Sequence, residues 1–288
     1  MSVLARRAAT YAGLVQLQNT LFALPFALAG AFLGARGIPS LGAFLAVGAA
    51  MFGLRTAAMA FNRVVDRRFD AANPRTAGRE LPAGRVSPGE AWVLIAGGLL
   101  VFLVACRVLN GWTLGLAPLA VALTFGYSLT KRFTSGSHLV LGAALALAPF
   151  GGYLATHGAP GGFPWALAAG VLFWVAGFDV LYSCLDADFD RRAGLYSLPA
   201  RFGRRGALRL ARLFHLAAFL LFALAGWQAA LGLPWWVGLV IAAGAFVVQH
   251  AFVRPDDLAR VQIAFFHLNA GVSMVLFLAT WLALSPPM

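Results

Sequence analysis

Charge is what this sequence has least of. Asp, Glu, Lys and Arg make up 11% of it, against roughly a quarter in a soluble globular chain, and the mean hydropathy is +0.80. That scarcity excludes a water-soluble fold. Lysine is rarer still, since Lys131 is the only one. The two cysteines, Cys106 and Cys184, lie in apolar stretches and exclude a disulfide framework or a thiolate zinc site. The five histidines, His138, His157, His215, His250 and His267, are scattered singly, which favours helix-end or packing roles over a metal centre. Ten-residue units of alternating hydrophobicity are also missing, and with them a transmembrane barrel. The net charge of +12 invites a nucleic-acid reading. Short inner loops of a membrane protein are basic for topological reasons alone, however, and no stacking motif accompanies the charge; no nucleic-acid partner is expected.

What the sequence has in abundance is apolar runs of about 20 residues, the length that crosses a hydrocarbon core. They predict nine spans, at 12–34, 41–62, 89–107, 112–130, 138–157, 164–185, 207–230, 234–252 and 261–283. No stretch is left for a soluble domain, so residues 1–288 read as one all-α polytopic domain. The first span follows Arg6 and Arg7, but its apolar run from Leu21 to Leu33 extends a helical stretch from Tyr11, so it reads as a retained helix rather than a signal peptide. Lys and Arg stay on the cytoplasmic side of short loops. With the N-terminus inside and the C-terminus outside, Arg36 and Arg107 fall outside, Arg55 lies within the second span, and the other 19 of the 22 basic residues fall on inner segments or, as Arg209 and Arg212, in the inner turns of a span. The expected location is the inner, or plasma, membrane.

The acids are more telling. All ten lie in or beside inner segments, so one face of the protein carries the polar chemistry. Asn62, Asp66 and Asp70 stand at i, i+4 and i+8, on one helical face with about 6 Å of rise between neighbours. Two carboxylates so placed repel each other and oppose the macrodipole of a helix C-terminus. Arg67 and Arg68 could neutralise them locally. Yet the stretch "DRRFDAANPRTAGRELPAG" is echoed by "DADFDRRAGLYSLPARFG", with Asp66 and Asp186, Phe69 and Phe189, and Asp70 and Asp190 each 120 residues apart. The echo comes four spans later, which returns it to the same side of the membrane in the same chain direction. Two parallel four-helix repeats with a ninth helix appended follow from that offset. Both acidic stripes then face one central cavity that opens to the cytoplasm.

Four facing carboxylates at a membrane edge are prohibitive without divalent cations. Mg2+ is the natural one, because it takes oxygen ligands and is commonly held by one or two carboxylates plus substrate phosphates. Asp66, Asp70, Asp186 and Asp190 are therefore the candidate metal ligands, and a phosphorylated ligand is implied. Arg75 and Arg79 after the first stripe, Arg191, Arg192 and Arg201 after the second, and Lys131 and Arg132 in "YSLTKRF" supply the forks and the point charge that clamp phosphate oxygens.

These residues resemble a known family. "NRVVDRRFD" fits the Asn-x-x-x-Asp-x-x-x-Asp first motif of the UbiA superfamily of intramembrane prenyltransferases, "DVLYSCLDADFD" its second acidic motif, and "YSLTKR" its Tyr-x-x-x-Lys segment. The resemblance covers nearly the whole chain. It implies transfer of a polyprenyl chain from polyprenyl diphosphate to an acceptor, often an aromatic ring in quinone biosynthesis. Carried over, Asp66, Asp70, Asp186 and Asp190 hold Mg2+, while Asn62, Arg75, Arg79, Lys131 and Arg132 hold the diphosphate. Metal and basic groups then stabilise the departing diphosphate as the allylic C–O bond ionises.

The resulting allyl cation calls for aromatic faces. Tyr127, Phe125, Tyr153 and Tyr182 are the candidates, with Tyr127 and Tyr182 preferred for their places in the motifs. Asp179 lies seven residues before Asp186, nearly on the same face and about 10 Å deeper. An ionisable group at that depth is a functional candidate, to hold the acceptor or take its proton, with an ion pair to Lys131 as the structural alternative. The segments that the ubiquinone branch carries as Arg-Pro and Pro-Gln read "VQLQNTLFALPF" and "KRFTSGSHLVLG" here, so the chain departs from that branch near the acceptor while its diphosphate motifs are intact. The resemblance is to the 4-hydroxybenzoate polyprenyltransferase-like group and to a menaquinone route using a dihydroxynaphthoate, which makes a small aromatic acid the expected acceptor. A haem acceptor would call for clustered histidines. A transporter would place its polar groups at the midplane among broken helices.

Overall fold

The computed structural model describes residues 3–285. Among them the regular structure is helical, apart from one isolated bridge between Arg254 and Asp257. The chain runs through α1 (Val3–Leu14), α2 (Thr20–Ala35), α3 (Leu41–Ala72), α4 (Pro88–Leu109), α5 (Gly111–Thr130), α6 (Ser137–His157), α7 (Trp165–Ser183) and the short α8 (Ala187–Arg192). It continues through α9 (Leu198–Gln228), α10 (Leu233–Phe252), α11 (Val261–Ile263) and α12 (Asn269–Leu284). Among the described residues nine helical segments are long and apolar enough to cross a bilayer, as the hydropathy pattern predicts.

The repeat is visible in the packing. α3 lies along α4, and α7 lies along α9 in the equivalent way, while α2 and α6, the first helices of the two halves, pack against each other at the centre. That central contact depends on glycine. A Cβ on Gly30 would run into the backbone carbonyl of Pro149, and one on Gly152 into that of Ala27, so only bare backbone allows this approach. A core of large rings, Phe26, Trp174 and Phe222 among them, fills the space between α2, α7 and α9. Trp174 Nε1 donates to Asn269 Oδ1 at 2.9 Å and ties α7 to α12.

Five details depart from the sequence reading. The first span is not one helix from Tyr11. The backbone turns left-handed at Gln16 (φ 46°), and Asn19 Nδ2 donates to Gln16 Oε1 at 2.9 Å, so a polar turn separates α1 from α2. α3 continues past residue 62 to Ala72, because nothing breaks it before Asn73 and Pro74, which carries the first motif out on a rigid helix end. The second motif is reached through a 3-10 turn, Cys184–Asp186, which re-aims the chain into α8. Helix α9 begins at Leu198, well before residue 207, and is kinked at Gly203 (φ 69°), where the chain leaves the helical region. The last span opens with a π-helical turn, Ala264–Leu268, a feature common at functional sites.

Candidate active site

One cavity of about 720 Å³ lies between the two halves. Twelve of the residues singled out in the sequence line it: Asn62, Asp66, Asp70, Arg75, Arg79, Tyr127, Lys131, Arg132, Asp179, Tyr182, Asp186 and Asp190. Its upper part is charged. The deeper wall is apolar, with Val47, Phe102, Leu116 and Leu147. The exposed lining residues fall in two groups. Arg75 and Arg132 mark a polar mouth, while Gln18, Gln262, Ile263 and His267 mark a side gap between the start of α2 and the π turn.

Each carboxylate is matched by a cation, and the pairs cross between elements. Arg75, just beyond α3, donates from Nε to Asp186 Oδ1 at 2.8 Å and from its second amine to Asp186 Oδ2, so the first loop grips the second motif. Asn73 Nδ2 adds a bond to Asp186 Oδ1 at 2.9 Å. Arg79 donates to Asp70 Oδ1 at 2.7 Å, and Asn62 Nδ2 to Asp66 Oδ2 at 2.8 Å. Arg132 reaches Asp66 Oδ1 at 3.3 Å and the Val65 carbonyl at 2.8 Å, and Lys131 Nζ stands 3.5 Å from Asp190 Oδ2. Burial works against the charged form of Lys131. The carboxylates of Asp190, Asp179 and Asp186 outweigh it and hold its pKa above the ordinary lysine value. For Arg75 burial likewise opposes charge, and the bond to Asp186 reverses the balance.

The acids do not converge on one point. Among the described residues no three His, Cys, Asp or Glu side chains gather as a ready-made metal cage. Two buried oxygens are nonetheless left without a hydrogen-bond partner, Asp70 Oδ2 and Asp190 Oδ2, one on each motif. Lys131 is too distant from the latter for a bond of normal strength. A buried lone carboxylate oxygen is costly, and a divalent cation that completes its shell with water and phosphate oxygens satisfies it. The donor set fits Mg2+ on that ground.

The aromatic candidates separate. Tyr182 lies in the cavity wall, accepts from Arg75 Nη1 at 3.0 Å, and packs on Phe265 of the π turn with ring centroids 4.3 Å apart. Tyr127 lines the cavity as well. Phe125 does not, because it stacks on Phe61 away from the cavity, and Tyr153 is buried elsewhere with its hydroxyl on the Gly161 carbonyl. Arg191, Arg192 and Arg201 also fall outside the cavity. α8 turns Asp190 inward and Asp188, Arg191 and Arg192 outward, Arg191 pairing with Asp188 and Arg201 reaching Ser135.

Three lining or supporting residues went unassigned in the sequence. Asn73 has no local signature. Arg55 does, as a basic residue in the middle of a span; it lines the cavity with its Nε buried and unpartnered. His138 is not a lone packing histidine: its Nδ1 is 2.6 Å from Asp179 Oδ2, so Asp179 pairs with it instead of with Lys131. His215 and His250 also form a pair, 2.8 Å apart between α9 and α10 and remote from the cavity.

A chamber charged at one end, apolar in its depth and open sideways defines an enzyme that works within the membrane on a molecule with an anionic head and an oily tail. Residues 23–271 match the sequence model of the UbiA prenyltransferase family, and the chain belongs to that family. Curated relatives include a 4-hydroxybenzoate octaprenyltransferase of Tolumonas auensis, 32% identical over 94% of this chain and 91% of that one. Another, of Chromohalobacter salexigens, is 32% identical over 88% and 85%. Among solved structures, a UbiA homologue from Aeropyrum pernix K1 in its apo form superposes with a TM-score of 0.83 at 38% identity, covering 91% of this chain and 96% of that one. A UbiA homologue from Archaeoglobus fulgidus, bound to GPP and Mg2+, superposes at 0.70 and shares the fold at 18% identity, over 94% and 99%. This chain is thus an integral membrane prenyltransferase.

Proposed function

We propose that the protein transfers a polyprenyl chain from polyprenyl diphosphate to a small aromatic acid in quinone biosynthesis, with Mg2+ as cofactor. The observation that carries this is the meeting of two acidic helix ends, 120 residues apart in sequence, in one cavity where each retains a buried carboxylate oxygen without a hydrogen bond. Bound there, Mg2+ supplies the positive charge that lets the diphosphate leave. Asp66 and Asp70 on one side and Asp186 and Asp190 on the other are its ligands. Arg75, Arg79, Lys131 and Arg132, released from their carboxylates, turn to the phosphate oxygens with Asn62. Tyr127 and Tyr182 face the allyl cation. The apolar wall and the side gap take the tail.

The acid group of the acceptor is read from Arg55. It lies eleven residues before Asp66, about 16 Å down α3, where a buried Nε without a partner is costly unless an anion comes to it. Names of relatives agree, being 4-hydroxybenzoate octaprenyltransferases; a dihydroxynaphthoate carries the same carboxylate. The polar mouth faces the cytoplasm, with the N-terminus inside and the C-terminus outside, in the inner membrane. Purified protein in nanodiscs, given labelled prenyl diphosphate and a panel of aromatic acids, a haem and a glycerophosphate, tests the reading. Labelled product with an aromatic acid is expected; product only with a non-aromatic acceptor overturns it.

A further inference from the structure

The pair formed by His138 and Asp179 is left over once metal, diphosphate and carboxylate are accounted for. His138, at the first turn of α6, is wholly buried, and its Nδ1 meets Asp179 Oδ2 at 2.6 Å. Its other nitrogen, Nε2, accepts from the backbone N–H of Leu198 at 3.4 Å. With Nε2 an acceptor, the ring proton sits on Nδ1 and is donated to Asp179. The tautomer is thereby fixed from outside the pair. One carboxylate oxygen is then occupied, and Asp179 Oδ1 has no partner among the described residues although Asp179 lines the cavity. Along the helices from the first carboxylate of each motif, Asp179 lies about 10 Å down and Arg55 about 16 Å down, so an aromatic acid held by Arg55 has its far edge toward Asp179.

We propose that His138 is the positioning residue that holds Asp179 with Oδ1 aimed at the acceptor ring, so that Asp179 takes the ring proton in the last step of transfer. The proposal rests on the aromatic-acid reading above. In that step the bond from the allylic carbon to the ring carbon has formed, and the C–O pair has left with the diphosphate. The ring carbon now carries both its proton and the new substituent. Asp179 Oδ1 removes the proton, and the C–H electron pair returns to the ring and restores its aromaticity. His138 stays neutral throughout, with its Nδ1–H donated to Oδ2, and loses no proton of its own. Its role is orientation, because a carboxylate free to rotate presents the wrong oxygen or takes up the bond to nearby Lys131, within whose electrostatic reach it lies.

Deuterium at the acceptor's reacting ring position separates this role from a merely structural one. For the native protein, with ionisation limiting, the rate with deuterated 4-hydroxybenzoate, or with the deuterated naphthoate if the panel selects it, equals the rate without label. His138→Met keeps the volume and removes the donor. It is expected to lower kcat about 10- to 100-fold, a share of what a positioned base contributes, to leave KM for the prenyl diphosphate in place, and to expose a primary isotope effect. His138→Asn, whose amide nitrogen takes the place of Nδ1 and keeps an N–H toward Asp179, restores a substantial part of the rate. Should the Met variant fail to insert, His138→Leu, which likewise has no donor, replaces it. Full rate in the donor-less variant, an equal loss in the donor-less and Asn variants, or a loss without an isotope effect overturns the proposal. Failure of native protein to prenylate any aromatic acid instead overturns the reading beneath it.

Discussion

Replacing Asp186 by Asn removes one charge at the point where the two halves of the cavity are joined. Asp186 accepts from Arg75 Nε at 2.8 Å, from a second Arg75 amine and from Asn73 at 2.9 Å, and its side chain is only 10% exposed. Hydrogen bonds to charged groups contribute about 1.5–3 kcal/mol net. Arg75 is 26% exposed, so water takes over part of its solvation and the expected stability loss is about 1–2 kcal/mol. That leaves a folded, inserted protein, observable as a normal size-exclusion peak and a modest fall in Tm. Activity falls much further. An amide is a poor ligand for Mg2+ and carries no charge to balance it, and losing one preorganised electrostatic contact at a leaving group costs about 100- to 1,000-fold. Turnover of labelled prenyl diphosphate in nanodiscs is the assay. Turnover within a few-fold of native by Asp186→Asn, or by the parallel Asp66→Asn, would refute the two-motif metal site.

The other predictions concern orientation, acceptor, tail and packing. Cysteines introduced at Ala77 and Ala193 label from the cytoplasmic side and one at Gly161 from outside; the opposite pattern inverts the topology. Arg55→Leu raises KM for an aromatic acid at least about tenfold, the cost of an unpaired buried carboxylate, while KM for the prenyl diphosphate stays; equal shifts in both would deny its place at the acceptor. Lengthening the prenyl donor alters the rate modestly in a bilayer, because added units leave through the side gap; a sharp loss between two adjacent long donors would mean a closed end. Gly152→Ala drives its methyl into the Ala27 carbonyl and destabilises by about 1–3 kcal/mol, read as a lowered Tm, whereas unchanged stability would put α2 and α6 further apart.

The nine spans and the pairing of the motifs were legible because hydropathy and a repeat at fixed spacing are local records of burial and symmetry. Asp66, Asp70, Asp186 and Asp190 share one cavity because a four-span offset must return the chain to the same side. What spacing does not record is which group meets which across that cavity. For Asp179 the sequence offers only Lys131 as an alternative ion-pair partner, while the residue it meets is His138, brought in by the first turn of α6. Asn73 was passed over for the same reason, since its bond to Asp186 spans 113 residues. Arg191 and Arg192 looked like phosphate clamps beside the second motif. The 3-10 turn at Cys184–Asp186 sets the face that α8 presents, and a turn of that kind leaves no mark in the residue pattern.

In the proposed mechanism the two motifs together hold one metal-bound diphosphate. Calorimetric binding of geranyl diphosphate to the protein in nanodiscs, with Mg2+ and with EDTA, tests it most directly when run on native protein, Asp70→Asn and Asp190→Asn. Saturable binding that requires Mg2+ and weakens at least about tenfold in each variant, the equivalent of 1.4 kcal/mol, is the predicted result. Binding of equal strength in EDTA, or a loss confined to the variant of one motif, would contradict it.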